Sequence, residues 1–258
     1  MSGQIVQKAV SVSTAVPIGI AVFLRDIVFP PRCAHCHCLT GRHGGLCPPC
    51  WSTMRFIERP FCEVLGTPFS HDLGPGMLSA EAIAHPPVFD RLRSVAIHEG
   101  IARDLVHDLK YRDRTDLAPM MAGWMVRAAA QALEDCDMVV AVPLHRTRLF
   151  ARKFNQSAEL ARHVARLSGR PFGPLALTRN KRTAQQVGLT ANARALNVRG
   201  AFNVPEGHSP QVFGRRIVLV DDVFTTGATV SAATRALKRA GAFDVTVLTF
   251  ARAVSGPI

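Results

Sequence analysis

Beyond phenylalanine, the chain has one tyrosine, Tyr111, and two tryptophans, Trp51 and Trp124. A broad platform of exposed rings that stacks successive nucleobases is therefore not expected. Acidic residues are also few, 19 against 31 lysines and arginines, leaving a formal charge of +12 over 258 residues. That excess favours phosphate-rich ligands, nucleic acid or anionic surfaces without choosing among them. Long apolar runs are missing as well. An uncharged run from Ala9 to Leu24 contains Pro17 and Gly19, then passes through Arg25 and Asp26 into a cysteine cluster with no small-residue cleavage site. It is short for a membrane span and reads as a docking helix or tail, so no stable membrane insertion is expected. Neither a GxGxxG fingerprint nor a Gly-Lys-Ser/Thr loop is present at the main candidate site, which excludes a dinucleotide cradle and a Walker A loop there.

What is present is the stretch Ile217 to Thr229, IVLVDDVFTTGAT. Ile217, Val218, Leu219 and Val220 are apolar on both faces, as a central parallel strand covered by helices requires. Thr225, Thr226, Gly227, Ala228 and Thr229 lack bulk, so their backbone N–H groups can turn toward an anion at a helix N-terminus while hydroxyls add donors. A 5′-phosphate fits such a loop. Asp221 and Asp222 can accept hydrogen bonds from the two hydroxyls of a ribose held by that phosphate, or help place Mg²⁺. The pattern resembles the phosphoribosyl pyrophosphate (PRPP) motif of type I phosphoribosyltransferases.

Six of the seven cysteines fall between Cys33 and Cys62. Cys33, Cys36, Cys47 and Cys50 form two C-x2-C pairs, the spacing of two knuckles that close a tetrahedral four-sulfur zinc site. Structural zinc there would fix a loop-rich unit too small for its own core. The rival is a disulfide framework, which needs an oxidising compartment, whereas a PRPP user belongs in the cytosol. Cys38 and Cys62 are open: an extension of the site, a second metal, or buried thiols. His35, His37, His43 and His71 are left out of the ligand set, and Cys136 reads as a small buried hydrophobe.

From Pro60 to Pro87 the chain is rich in proline and glycine and reads as a connector. Beyond it, strand patterns at Ser94–His98, Met138–Val142, Ile217–Val220 and Val245–Phe250 alternate with helical patterns. The helices are expected from Ile101 to Leu109, Leu117 to Leu133 and Gln156 to Leu167. The fold class is α/β, a parallel sheet with helices on both faces, plus a small N-terminal zinc ribbon. The expected units are 1–28, an apolar helix or tail; 29–70, the ribbon; 71–88, a linker; and 89–258, a phosphoribosyltransferase-like domain.

Ligands in such sheets sit beyond the strand C-termini. A second loop at such an end carries His145, Arg146 and Arg148, followed by Arg152 and Lys153, and can clamp a diphosphate as charge builds on it. A third segment, with Arg179, Lys181, Arg182, Gln185, Arg194 and Arg199, is polar and basic. It reads either as a flap closing over PRPP or as a track along a nucleic-acid backbone.

These pieces together resemble the ComF family, whose members join an N-terminal zinc ribbon to a type I phosphoribosyltransferase-like domain. The resemblance rests on the Cys33 to Cys50 knuckles, His98-Glu-Gly with Leu109-Lys-Tyr, Val142-Pro-Leu-His-Arg with Phe154-Asn-Gln, and Arg182-Thr-Ala-Gln-Gln. Asn197-Val-Arg-Gly-Ala-Phe and the Asp221 motif complete it. It implies PRPP binding with Mg²⁺ at the Asp221 loop and a cytoplasmic role in DNA uptake (competence) or DNA processing. Single-stranded DNA and competence or recombination proteins are the implied further partners. The alternative is an active phosphoribosyltransferase moving ribose 5-phosphate to a nitrogenous acceptor, for which no catalytic residue or acceptor pocket is legible. One departure stands out: relatives often carry a third cysteine pair, but Cys62-Glu-Val-Leu has Leu65 where the partner would be.

Overall fold

A computed structural model describes residues 26–72, 74–147, 149, 154–181 and 191–254. The uncharged run from Ala9, together with Arg148, Arg152, Lys153, Arg182 and Gln185, lies outside the described residues. The ribbon region carries two short helices, α1 (Pro48–Ser52) and α2 (Ala80–Ala84). Then follow β1 (Arg91–Ile97), α3 (Gly100–Tyr111), α4 (Ala118–Ala128), α5 (Ala130–Glu134), β2 (Met138–Ala141) and α6 (Gln156–Ser168). The chain continues with β3 (Thr178–Arg179), α7 (Ala191–Val198), β4 (Phe202–Asn203), α8 (Ser209–Val212), β5 (Arg216–Phe224), α9 (Ala228–Arg239) and β6 (Asp244–Arg252). Among the described residues no helix is long and apolar enough to cross a membrane.

The main sheet has the order β1-β6-β5-β2 with every pairing parallel. Side chains alternate between faces, so a strand covered on both sides needs apolar residues at every position. Val218 and Val220 of β5, with Leu248 and Phe250 of β6, pack under α3, α4 and α6. Ile217 and Leu219, with Val245 and Val247, pack under α9 and the small β3–β4 sheet. Leu219, Leu248 and Phe250 are fully buried, and each such side chain contributes about 1.5–3 kcal/mol. On α9, Val230, Ala233, Thr234, Ala236 and Leu237 make the buried stripe, a three-and-four spacing that keeps one helical face inward. The helical pattern expected from Leu117 to Leu133 is interrupted: α4 ends at Ala128, and Ala129 after it, with φ of −118° and ψ of 22°, leaves the helical region before α5 begins.

Both sheet edges are covered. Phe56 bridges antiparallel to Ala96, with Ile57 N–H donating to Val95 O and Ile97 N–H to Arg55 O, so the ribbon lends β1 a short edge segment. On the far side, Phe172 bridges to Val139 of β2. Unpaired edge groups would otherwise invite pairing with another chain.

The stretch from Pro60 to Pro87 is not the bare connector its composition suggests. It folds into a knuckle and α2, and Cys62, Leu65 and Ala82 are buried with Phe89 and Leu92 against the sheet. Gly66 sits there at φ +59°, where a Cβ would lie 2.5 Å from Leu92 O, so only glycine fits. The scarce large rings are gathered at the other end of the ribbon. Trp51 lies 4.6 Å from Phe56 and 5.5 Å from Trp124, and Trp124 stacks on Phe250.

Candidate functional site

β5 runs further than its apolar core. It continues through the acid pair to Phe224, and Asp221 sits in register with Thr249 of β6. Each carboxylate meets a different helix. Ser157 Oγ, in the first turn of α6, donates to Asp221 Oδ1 at 2.8 Å, and the Asp222 N–H donates to the same oxygen at 2.9 Å. Asp222 Oδ1 instead pairs with Lys110 Nζ of α3 at 2.9 Å. Burial, then the charge of Asp222, pushes the Asp221 carboxyl up to about 7, against the pull of Ser157 and Lys110. His98, just beyond β1, is held below the usual histidine range by burial and by the Lys110 cation, with Asp222 opposing.

After Phe224 the chain turns at Gly227, φ +73°, the N-cap of α9. A Cβ there would fall 2.9 Å from the Phe224 ring, so the loop stays tight against its own strand end. Thr225, Gly227, Ala228 and Thr229 line a cleft of about 290 Å³ together with Asp221, Asp222, His98, Lys110, Gln156, Ser157 and Arg179. Helix α6 owes its position to Asn155, whose side chain caps it by accepting from Ser157 N–H and also donates to Val142 O. Gln156 is 1% exposed and lines the cleft, yet its Nε2 finds no hydrogen-bond partner among the described residues. A buried donor left open in this way is costly unless a ligand or water meets it.

The sequence-predicted residues divide into groups. Asp221, Asp222, Thr225, Gly227, Ala228 and Thr229 come together in the cleft, while Thr226 is an exposed member of the same loop. His145 and Arg146 are not among the residues lining this cleft: His145 Nδ1 bonds Thr147 Oγ1 at 2.9 Å, and Arg146 is exposed. Arg148, Arg182 and Gln185 lie outside the described residues. Arg179, read as part of a mobile basic segment, is instead buried in β3, stacked over Phe202 at 5.2 Å, and faces the cleft. Lys110, Gln156 and Ser157 had no role assigned from sequence. Leu109-Lys-Tyr and Phe154-Asn-Gln mark the resemblance, but only the fold brings α3 and α6 to the acid pair.

At the ribbon, the sulfurs of Cys33, Cys36, Cys47 and Cys50 all lie within 4.8 Å of one another, a fit for tetrahedral zinc. The Cys33 thiol is pushed up by burial but pulled down further, to about 6, by N–H groups of Cys47, Cys36 and His35, whereas the Cys50 thiol is pushed up by burial and by its neighbouring thiols. His35 Nδ1 lies 3.5 Å from Cys50 Sγ and its Nε2 lies 3.3 Å from Asp104 of α3, so this histidine links the sulfur cluster to the larger unit. Exposed Cys38 approaches Cys36 at 3.4 Å but stands outside the four. Cys62 is fully buried, and Cys136 is a buried thiol donating to Met138 O. All seven cysteines are free of disulfides.

Fold and sites together define a zinc ribbon joined to a phosphoribosyltransferase-like α/β domain. Comparison with known proteins agrees: a double zinc ribbon domain matches residues 24–82, and a phosphoribosyl transferase domain matches residues 155–257. DNA utilization protein YhgH of Escherichia coli strain K12 is 32% identical over 80% of this chain and 89% of its own length. Competence protein F of Haemophilus influenzae is 25% identical over 86% of this chain and 97% of its own. A shorter match, 48% identical over 58 residues, covers 22% of this chain and 31% of an orotate phosphoribosyltransferase from a Nocardioides species. The chain belongs to the ComF family, to which YhgH-type proteins and competence protein F also belong.

Proposed function

We propose that this chain binds PRPP together with Mg²⁺ in the Asp221–Thr229 cleft and acts in DNA uptake or DNA processing. The observation that carries the reading is a cleft walled by the adjacent Asp221 and Asp222 and the small-residue loop at the start of α9, with buried Gln156, whose Nε2 lacks a partner among the described residues, also in its lining. In this reading the loop from Thr225 to Thr229, at the N-terminus of α9, takes the 5′-phosphate through backbone N–H groups. Asp221 and Asp222 accept from the ribose hydroxyls and are the carboxylates able to hold Mg²⁺, which when bound offsets diphosphate charge. Lys110, already in the cleft, offers a cation to the leaving-group side, and Gln156 donates the hydrogen bond it lacks. The DNA role is supported by the names of the relatives and by the +12 charge.

Isothermal titration with PRPP and Mg²⁺ tests the cleft. The Asp221→Ala/Asp222→Ala double variant is expected to lose at least about tenfold in affinity, roughly 1.4 kcal/mol. Binding equal to that of the unaltered chain would remove the reading. For DNA, single-strand affinity across a salt series is expected to fall linearly on log axes, with a shallower slope when Lys181, Arg182 and Arg199 are replaced. A second reading, transfer of ribose 5-phosphate to a nitrogenous acceptor, is favoured by the short but close orotate phosphoribosyltransferase match. Diphosphate release from PRPP across a panel of bases and amines separates it from binding alone.

A further inference from the structure

The backbone hydrogen bonds of the first knuckle recur in the stretch that follows it. Cys33 N–H donates to Cys38 O, His37 N–H to Cys33 O and Thr40 N–H to Pro31 O; likewise Cys62 N–H donates to Thr67 O, Gly66 N–H to Cys62 O and Phe69 N–H to Pro60 O. Arg32 bridges Leu39 as Phe61 bridges Pro68, and the left-handed turn residue is His37 in one and Gly66 in the other. The second half of each lobe matches too. Ala34 N–H donates to Gly45 O as Glu63 N–H does to Met77 O, and Trp51 N–H to Cys47 O as Ile83 N–H to Ser79 O. Cys47 N–H donates to Cys33 Sγ at 3.3 Å, and Ser79 N–H to Cys62 Sγ at 3.2 Å, each at the N-cap of a five-residue helix.

This correspondence equates Cys33, Cys36, Cys47 and Cys50 with Cys62, Leu65, Ser79 and Ala82. We propose that the second lobe has kept the zinc-knuckle fold without its metal, so that the chain holds one zinc ion where a double ribbon would hold two. Leucine and alanine offer no ligand atom, and the Ser79 hydroxyl is engaged in accepting from Ala82 N–H. The space where a metal would sit is filled instead: Cys62, Leu65 and Ala82 are buried in the same apolar cluster as Phe89 and Leu92. The lobe is also fastened from outside. Val64 O accepts from Leu92 N–H, Leu65 O from the Arg252 guanidinium, and Glu63 Oε2 pairs with Arg93 at 2.7 Å. Apolar filling and strand contacts thus do the work of the missing ion.

Zinc per chain, measured on the full-length protein by native mass spectrometry and by chelator release, tests this. One zinc is expected, lost in Cys33→Ser and retained in Cys62→Ser. The Leu65→Cys/Ser79→Cys/Ala82→Cys variant is expected to take up a second ion. Two zinc ions in the unaltered chain, or loss of zinc on Cys62→Ser, would overturn the proposal. A folded triple variant that still holds one ion would overturn the equivalence of the two lobes. Should the triple variant not fold, the stoichiometry of the unaltered chain decides alone.

Discussion

Asp221 sits where its charge is unwelcome, and that fixes how stability must respond to pH. With its carboxyl pushed from 3.8 up to about 7, the folded chain holds this proton more tightly than the unfolded chain does. Its contribution to stability is therefore fully present below about 4 and is lost as pH rises to about 7. At roughly 1.4 kcal/mol per unit, the loss amounts to a few kcal/mol. Asp221→Asn keeps an oxygen for Ser157 Oγ to donate to but cannot ionise. Urea unfolding from pH 4 to 8 is expected to show the variant gaining on the original chain as pH rises, while PRPP binding falls. A constant difference across that range would mean Asp221 does not titrate there. The acid pair and loop were legible because adjacent carboxylates, turn and helix start lie in one short run. Lys110, Ser157 and Gln156 were not, because their nearness to Asp221 is made by the sheet order rather than by sequence distance.

Among the elements, strands and helices with a clear period were readable, and the breaks within them were not. Nothing in the alanine- and methionine-rich run announces that Ala129 will leave the helix. The Pro60–Pro87 stretch misled for a physical reason: the glycines and prolines that make a knuckle turn are the same residues that make a linker. The resemblance marked Cys62 and Leu65 as a broken third pair, but Ser79 and Ala82, at the other two ligand positions, carry no cysteine that would have revealed the rest of the repeat. Gly66 offers a test of how firmly that lobe is seated. Gly66→Ala combines a left-handed backbone with a Cβ pressed on Leu92 O, and is expected to cost at least about 1–3 kcal/mol in denaturant unfolding. A loss within about 0.5 kcal/mol would show that the knuckle can lift from β1 freely.

At the scale of the whole molecule, the ribbon and the α/β unit share their interior. Cys33, Cys47, Cys50 and Met54 belong to the same apolar cluster as Val95, Leu105 and Phe250. Removing zinc should therefore be felt beyond the ribbon. Chelation is expected to shift tryptophan emission, since Trp51 and Trp124 touch across the junction, and to lower the melting temperature by about 5 °C or more. Unchanged emission would mean that the sulfur cluster is not what holds Trp51 in place. The wide α/β plan was visible from the alternation of patterns. The sharing was not, because residues 54–57 joining the edge of β1 is a contact between parts that look separate in sequence. That borrowed edge segment carries a practical warning. A fragment cut at the start of the α/β unit would bare the N–H and C=O row of β1 and leave the buried Arg252 without its Leu65 acceptor. Such a half is expected to stick to its own copies edge to edge, so experiments that split this protein into two pieces would report on aggregation rather than on either piece.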